Sequence, residues 1–189
     1  MPAKRRDQFE LTILPHARAA YSLARWMLRH PQDAEDAVQD SVLKAYKAFD
    51  GHTGTSPAAW LLAIVRNTCL TQIERRRADQ KVVVLSDMAS GTDHERRPAM
   101  LRPDTAPPAD ETLITEEQRR RVHAAIAMLP VQFREVIVLR EFHDLSYREI
   151  ADIVGTPVGT VMSRLARARE RLKTALGARI TDDESGTAT

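Results

Sequence analysis

Two helix-start signals stand on either side of one glycine in the stretch LSYREIADIVGTPVGTVMSRLARARERL, Leu145 to Leu172, and they leave few folds open. Ser146 and Glu149 have the spacing of a capping box, in which hydroxyl and carboxylate each satisfy a backbone N–H that a helix start leaves unpaired. Leu145 and Ile150 stand where a hydrophobic staple packs across that cap. Gly155 tolerates the left-handed conformation that ends a helix. Thr156-Pro157 then restarts one as N-cap and first helical residue. Two helices joined by so short a turn are the pattern of a helix-turn-helix.

The second of these helices has two chemically different sides. At 100° per residue, Val158, Val161, Leu165, Ala168 and Leu172 form the expected core side. Thr160, Ser163, Arg164 and Arg167 fall opposite, with Arg171 nearby. A cationic face carrying small hydroxyls suits a helix lying in the DNA major groove, where arginine reaches guanine edges or phosphates. An isolated arginine stripe is ordinarily a solvated helix surface. Here two consecutive start signals and the turn length favour DNA.

The rest of the chain also reads as helix, and the fold class expected is all-α: two small helical domains joined by a flexible linker. Residues 9–30 carry Leu11, Leu14, Ala17, Tyr21, Ala24 and Leu28 on roughly one side, with Pro15 as a possible first turn. Pro31 interrupts, and DAEDAVQDSVLKAYKAFD follows with Ala34, Ala37, Val38, Ser41, Val42, Ala45, Tyr46 and Phe49 in a helical stripe. Asp33 is the N-cap expected there, with Glu35 and Asp36 at the positive end of the helix dipole. After the loop GHTGTS, Ser56-Pro57 opens a helix whose buried side is Leu61, Ile64, Val65, Thr68 and Ile73. Residues 78–114 hold Pro98, Pro103, Pro107 and Pro108 and no sustained period, so an irregular linker and a domain boundary are expected. Thr115 to Gln118 fits a capping box for a helix ending near Met128, before Leu129-Pro130. The expected units are therefore 1–77, the linker 78–114, a second domain 115–177 and a tail 178–189.

Charge follows the same division. Residues 1–77 hold 12 basic and 8 acidic residues, 78–114 hold 4 and 7, 115–177 hold 11 and 8, and the tail holds 1 and 3. Two basic blocks around an acidic one suggest two contacts with a polyanion, while charge alone would favour a solvated mixed surface. Cys69 is the single cysteine, which rules out an internal disulfide and fits a reducing compartment. It reads as a small core residue rather than a nucleophile. No stretch nears the ~18 apolar residues of a membrane span, and the basic start lacks the apolar run of a secretory signal, so a cytoplasmic chain without membrane insertion is expected. The six histidines are scattered, without metal-ligand spacing, and there is no phosphate-cradling glycine loop. No cofactor, metal or catalytic residue is expected, and the chain is not expected to be an enzyme.

At this point a family resemblance becomes visible. SYREIADIVGTPVGTVMSRLARARERL closely resembles the C-terminal domain of extracytoplasmic-function (ECF, group IV) bacterial sigma factors, whose region 4 carries a helix-turn-helix. DAEDAVQDSVLKAYKAF resembles the polymerase-binding helix of sigma region 2, and AWLLAIVRNTCLTQIERRR resembles the promoter-melting helix of that region. The resemblance covers 9–77 and 115–177 in the family's order. It implies an alternative sigma factor that binds RNA polymerase core and directs promoter-specific initiation, reading the −35 element with region 4 and melting −10 with region 2.

By the same resemblance, Asp36, Gln39 and Asp40 would meet the clamp of the polymerase's largest subunit, and region 4 the flap of the second subunit. Arg66 and Asn67 match the melting helix, beside a loop (Gly51–Ser56) that captures flipped non-template bases. Trp60 would be either a stacking ring or, preferably, core. Arg75, Arg76 and Arg77 would touch phosphates. In region 4, Tyr147 and Arg148 start the helix that lies along backbone phosphates, and Thr160, Ser163, Arg164 and Arg167 match the −35-reading face. Met162 departs from the family, standing where many relatives carry a basic residue. Thr71-Gln72 lacks an acidic residue common there in relatives. The resemblance also implies an anti-sigma partner. An ordinary helix-turn-helix regulator would explain 115–177 but not the helices before residue 77.

Overall fold

A computed structural model describes residues 2–51, 56–87 and 112–184, with side chains described within 4–50, 56–79 and 116–177. Eight α-helices are present among the described residues: α1 (Pro2–Ile13), α2 (Ala17–Leu28), α3 (Pro31–Ala48), α4 (Pro57–Asp87), α5 (Thr112–Met128), α6 (Val131–Glu141), α7 (Tyr147–Val154) and α8 (Val158–Glu184). Short 3₁₀ turns, Leu14–His16 and Phe49–Gly51, follow α1 and α3. No strand occurs among the described residues, so the all-α class holds. The chain divides into two compact units, one carrying α1–α4 and the other α5, α6, α8 and all of α7 but its last three residues, Asp152–Val154.

In the first unit α2, α3 and α4 pack on one another. Their core holds Ala20, Leu23, Ala24, Met27, Leu61, Leu62, Val65 and Cys69. α3 contributes Ala34, Ala37, Ser41 and Ala45, all fully buried. Small side chains at these steps let two helices approach α3 closely, and the Ser41 hydroxyl donates to the Ala37 carbonyl at 2.6 Å rather than lying unpaired. Burial pushes the Cys69 thiol up to about 12, so it stays protonated and uncharged at neutral pH, as a core residue should.

Several boundaries differ from those read off the sequence. Pro15 sits in the 3₁₀ turn, and a separate helix, α1, precedes it. Leu11 and Leu14 are 79% and 46% exposed, so the apolar side predicted for 9–30 is not continuous across that turn. Phe9 and Ile13 anchor α1 instead, with Phe9 edge-on to Tyr46 and Phe49 at 5.1 and 5.3 Å. Arg5 adds bonds to the Tyr46 carbonyl and to Asp50. Asp33 is not the N-cap of α3: Pro31 begins the helix, His30 stands at the cap without a side-chain capping bond, and Asp33 lies in the first turn, 3.5 Å from the His30 ring. Ser56-Pro57 does open α4, where the Ser56 carbonyl accepts from Trp60 N–H at 3.0 Å. That helix continues to Asp87, ten residues beyond Arg77, because no proline or glycine interrupts it before that point.

The second unit is built around α6. Every residue from Phe133 to Leu139 is buried, which an amphipathic helix of three turns would not show. Buried there, Arg134 donates to the Ala127 carbonyl at the end of α5 at 2.7 Å. α5 and α6 both pack on α8. Thr115 falls inside α5, which begins at Thr112, and so does not cap it. The predicted end at Met128 and the restart after Pro130 hold.

Candidate nucleic-acid interface

The helix-turn-helix is assembled from local signals. Ser146 caps α7 with both halves of the capping box: Glu149 N–H donates to Ser146 Oγ, and Ser146 N–H donates to Glu149 Oε2 at 2.8 Å. The Ser146 hydroxyl and backbone hydrogen bonds hold the Glu149 carboxyl below its ordinary value. Gly155 ends α7 with φ +67°, a conformation that costs a residue with a Cβ. The expected N-cap at Thr156 is not realised, since its hydroxyl is buried and meets no hydrogen-bond partner among the described residues. The Pro157 carbonyl opens α8 instead, accepting from Thr160 and Val161 N–H at 2.9 and 3.2 Å.

α8 presents Val161, Leu165 and Ala168 to the core. Val158, placed on that side by periodicity, is 39% exposed, because it stands at the helix start, before the core closes over it. Of the four residues matched to DNA reading, Arg167 and Ser163 are exposed, and Thr160 and Arg164 are half-buried. The Ser163 hydroxyl donates to the Thr160 carbonyl at 2.9 Å. Arg164 turns inward and pairs with Glu135 at 3.4 Å, a carboxylate only 2% exposed. Arg171 lies over the Phe133 ring at 5.1 Å. Arg169 pairs with Glu141 at 2.8 Å, and that bond holds its guanidinium above the ordinary arginine value. Tyr147 is half-buried beneath the guanidinium of Arg140, 5.2 Å from the ring centroid, whereas Arg148 beside it is exposed. The helix therefore carries several arginines, of which Arg167 is the exposed one on the reading face.

In the first unit, Asp36, Gln39 and Asp40 share an exposed face of α3. Leu43, one turn further, is 59% exposed on the same face, an apolar contact that sequence reading missed. Its i, i+3, i+7 relation to Asp36, Gln39 and Asp40 was the available signal. On α4, Arg66 donates to the Asn67 side chain at 3.2 Å. Asn67 lines an open pocket of about 370 Å³ with Lys44, Ala48, Trp60, Ile64, Thr68 and Thr71. Lys44 donates to the Thr68 hydroxyl across it at 3.0 Å. Trp60 is half-buried in this wall and does not join the core. Arg75 and Arg77 are exposed, but Arg76 pairs with Asp33 of α3. Most of the loop Gly51–Ser56, the linker from 88 to 111 and the last residues of the tail lie outside the described residues.

No group of His, Cys, Asp and Glu among the described residues could hold a metal ion. No described helix is long and apolar enough to cross a membrane.

The sequence matches the family descriptions "Sigma-70 region 2" over residues 12–78 and "Sigma-70, region 4" over 119–172. It is 33% identical to the RNA polymerase sigma-H factor of Pseudomonas aeruginosa over 172 residues, 89% of this chain and 86% of that protein. The chain belongs to the ECF sigma factors. The ECF sigma factor SigG of Mycobacterium tuberculosis is 36% identical over 90% of this chain, which spans only 49% of that longer protein. Among solved structures, the sigma factor RpoE of Bartonella quintana, co-crystallised with the anti-sigma factor NepR, is similar with a TM-score of 0.69 and 27% identity. That likeness covers 90% of this chain and 97% of that one. As an alternative sigma factor the protein directs promoter-specific transcription initiation by RNA polymerase.

Proposed function

We propose that the two units divide promoter recognition, with residues 1–77 as region 2, 115–177 as region 4, and the segments 78–114 and 178–189 as linker and tail. On this reading the Asp36, Gln39, Asp40 and Leu43 face docks on the clamp of the polymerase's largest subunit, and region 4 meets the flap of the second. The pocket between α3 and α4 takes an extruded base of the −10 element. Trp60 offers a ring face, Asn67 an amide and Lys44 a positive charge, the groups an unstacked base uses. Arg66, Arg75 and Arg77 lie along the strand as phosphate contacts. Arg76, already paired with Asp33, enters only if a phosphate displaces that carboxylate.

In region 4 the start of α7 meets backbone phosphate through Arg148. Tyr147, held under the Arg140 guanidinium, positions that end. Thr160, Ser163 and Arg167 face the −35 element, and Arg164 orients the reading helix through Glu135. No step of this scheme needs bond-making by the protein, so it is not an enzyme. Acting on promoter DNA, it works in the cytoplasm.

The observation that carries the reading is the pairing of a capped helix-turn-helix with a separate unit whose polar face and pocket have no explanation in DNA binding by region 4 alone. The Bartonella relative's co-crystal partner supports an anti-sigma factor as regulator of this chain also. The test is run-off transcription with purified core polymerase, set beside a footprint of the free protein. Promoter-specific transcripts with no footprint in the absence of core are expected. A tight, sequence-specific footprint from the free protein, equal with and without polymerase, would overturn the division of labour.

A further inference from the structure

The outward side of α8 over its first turns is not the cationic surface that its arginine content implies. Val158 is 39% and Met162 52% exposed, and Ala166 is exposed on the next turn of the same side. Gly159 between them is open: a Cβ built there meets nothing within 4 Å. Arg164 is the only charged side chain from Val158 to Ala166, and it is turned inward to Glu135. The Ser163 hydroxyl proton is spent on the Thr160 carbonyl. The first exposed cation beside this strip is Arg167, which leaves the helix about 100° around from Ala166. The helix start thus lacks the guanidinium or amide forks that read guanine or adenine edges. It offers a strip of methyl and methylene groups at i, i+4 and i+8, bordered by glycine.

The N-terminal turns of the second helix are the part of a helix-turn-helix that reaches base edges. The one apolar group on a base edge in the major groove is the C5-methyl of thymine. We propose that Val158, Met162 and Ala166 form an apolar strip that selects thymine methyl groups in the upstream promoter element, with Met162 as the main contact. Met162 suits this role because its unbranched thioether chain adapts to an irregular surface. Gly159 lets the helix approach closely, and Arg167 anchors the far side. The inference rests on the reading that α8 lies in the major groove. It adds the chemistry of what is read there.

The test uses the full-length protein with core polymerase. Upstream elements are first selected from randomised promoters by run-off transcription. Each selected thymine is then replaced by uracil, which removes the methyl and leaves every hydrogen-bonding group in place. At one or two positions, wild-type transcription should fall about four-fold, the effect of one buried methyl-sized group. Met162→Ala should transcribe equally from thymine and uracil at those positions. Its melting temperature should be unchanged, since the side chain is largely exposed. If base-pair changes in the element matter but uracil is tolerated everywhere, the methyl inference is wrong while the reading of α8 as a recognition helix stands. If base-pair changes in the element have no effect either, both fall.

Discussion

In the first unit, the exposed polar face of α3 carries an acidic run with Leu43 one turn beyond it. In the second, the basic residues of α8 are largely engaged: Arg164 with Glu135, Arg169 with Glu141, Arg171 over Phe133. Both regions read as charged helices in the sequence, but their charges do different work. On the outer face of α3 Glu35 and Asp40 stay in water, and Asp36 accepts only a long 3.5 Å bond from Gln32 of its own helix, so a partner can meet them at little cost. On α8 Arg164, Arg169 and Arg171 fasten the helix to α6. A reading helix must be held at a fixed angle, since a base contact is lost with a small displacement, so its arginines are divided between holding and reading. A docking face on a well-packed three-helix core needs no such fastening.

The largest effect that would sharpen this contrast is at Glu135. Removing one partner of a buried ion pair leaves the other charge desolvated and typically costs about 3 kcal/mol or more. Glu135→Ala should therefore destabilise the second unit by about 3 kcal/mol, whereas Asp36→Ala on the exposed face should change stability by less than about 0.5 kcal/mol. Urea unfolding followed by circular dichroism measures both. Equal, small losses would show that Glu135 fastens nothing.

Next in size is the separation of Arg167 from Arg164. Arg167→Ala should alter base preference at the upstream element by about 1–3 kcal/mol at one position with stability intact. Arg164→Ala should lower stability and weaken all promoters alike. Promoter selection with each variant tests this, and interchangeable profiles would break the division between holding and reading. Smaller still, Gln39→Ala with Asp40→Ala should weaken association with core polymerase about ten-fold, about 1.4 kcal/mol, at unchanged melting temperature. Unchanged co-elution with core would remove α3 as the docking face.

What could be read in advance follows the same line. Signals that act within one turn of helix were legible: the Ser146–Glu149 box, Gly155, Ser56-Pro57 and the break at Leu129-Pro130 each satisfy local backbone groups and need no partner from elsewhere. α1 was missed because KRRDQ has no apolar period and its helix is held by contacts to Tyr46, Phe49 and Asp50 across the fold. Asp33 has the composition of a cap but is drawn to Arg76 on another helix. Arg164 lay on the polar side by angle, and nothing in α8 itself reveals that a buried carboxylate waits on α6. The pocket joins α3 to α4, so no single helical wheel contains it. Periodicity gives the direction a side chain leaves its helix. It says nothing of which neighbour stands there.

The last expected effect concerns pH, and it sets the two units against each other. In the first, burial raises the Cys69 thiol to about 12. A thiol harder to ionise in the folded state than in the unfolded one contributes stability that is complete below its ordinary value and is lost as pH rises above it. At pH 10 the loss is about 1.4 kcal/mol. In the second unit, burial lowers His143, against a weaker opposing pull from Asp144, and lowers His123, with Arg119 adding to the effect. A histidine with a depressed folded value is most stabilising above its ordinary value, so this unit weakens as pH falls below about 6.5. Glu149 adds a second acid stage. Its carboxyl is held low by Ser146, so its contribution is present above the ordinary glutamate value and is lost as pH falls through the folded one. Glu149 meets solvent, which limits that stage to about 0.5 kcal/mol, the low end for a cap. The first unit should thus soften in alkali and the second in acid. Hydrogen exchange resolved by segment would follow each. Cys69→Ala should flatten the alkaline limb in residues 17–79, and Glu149→Gln the acid limb below pH about 4.5 in residues 131–177. The same pH profile in both units, unmoved by either substitution, would mean that these groups do not control it.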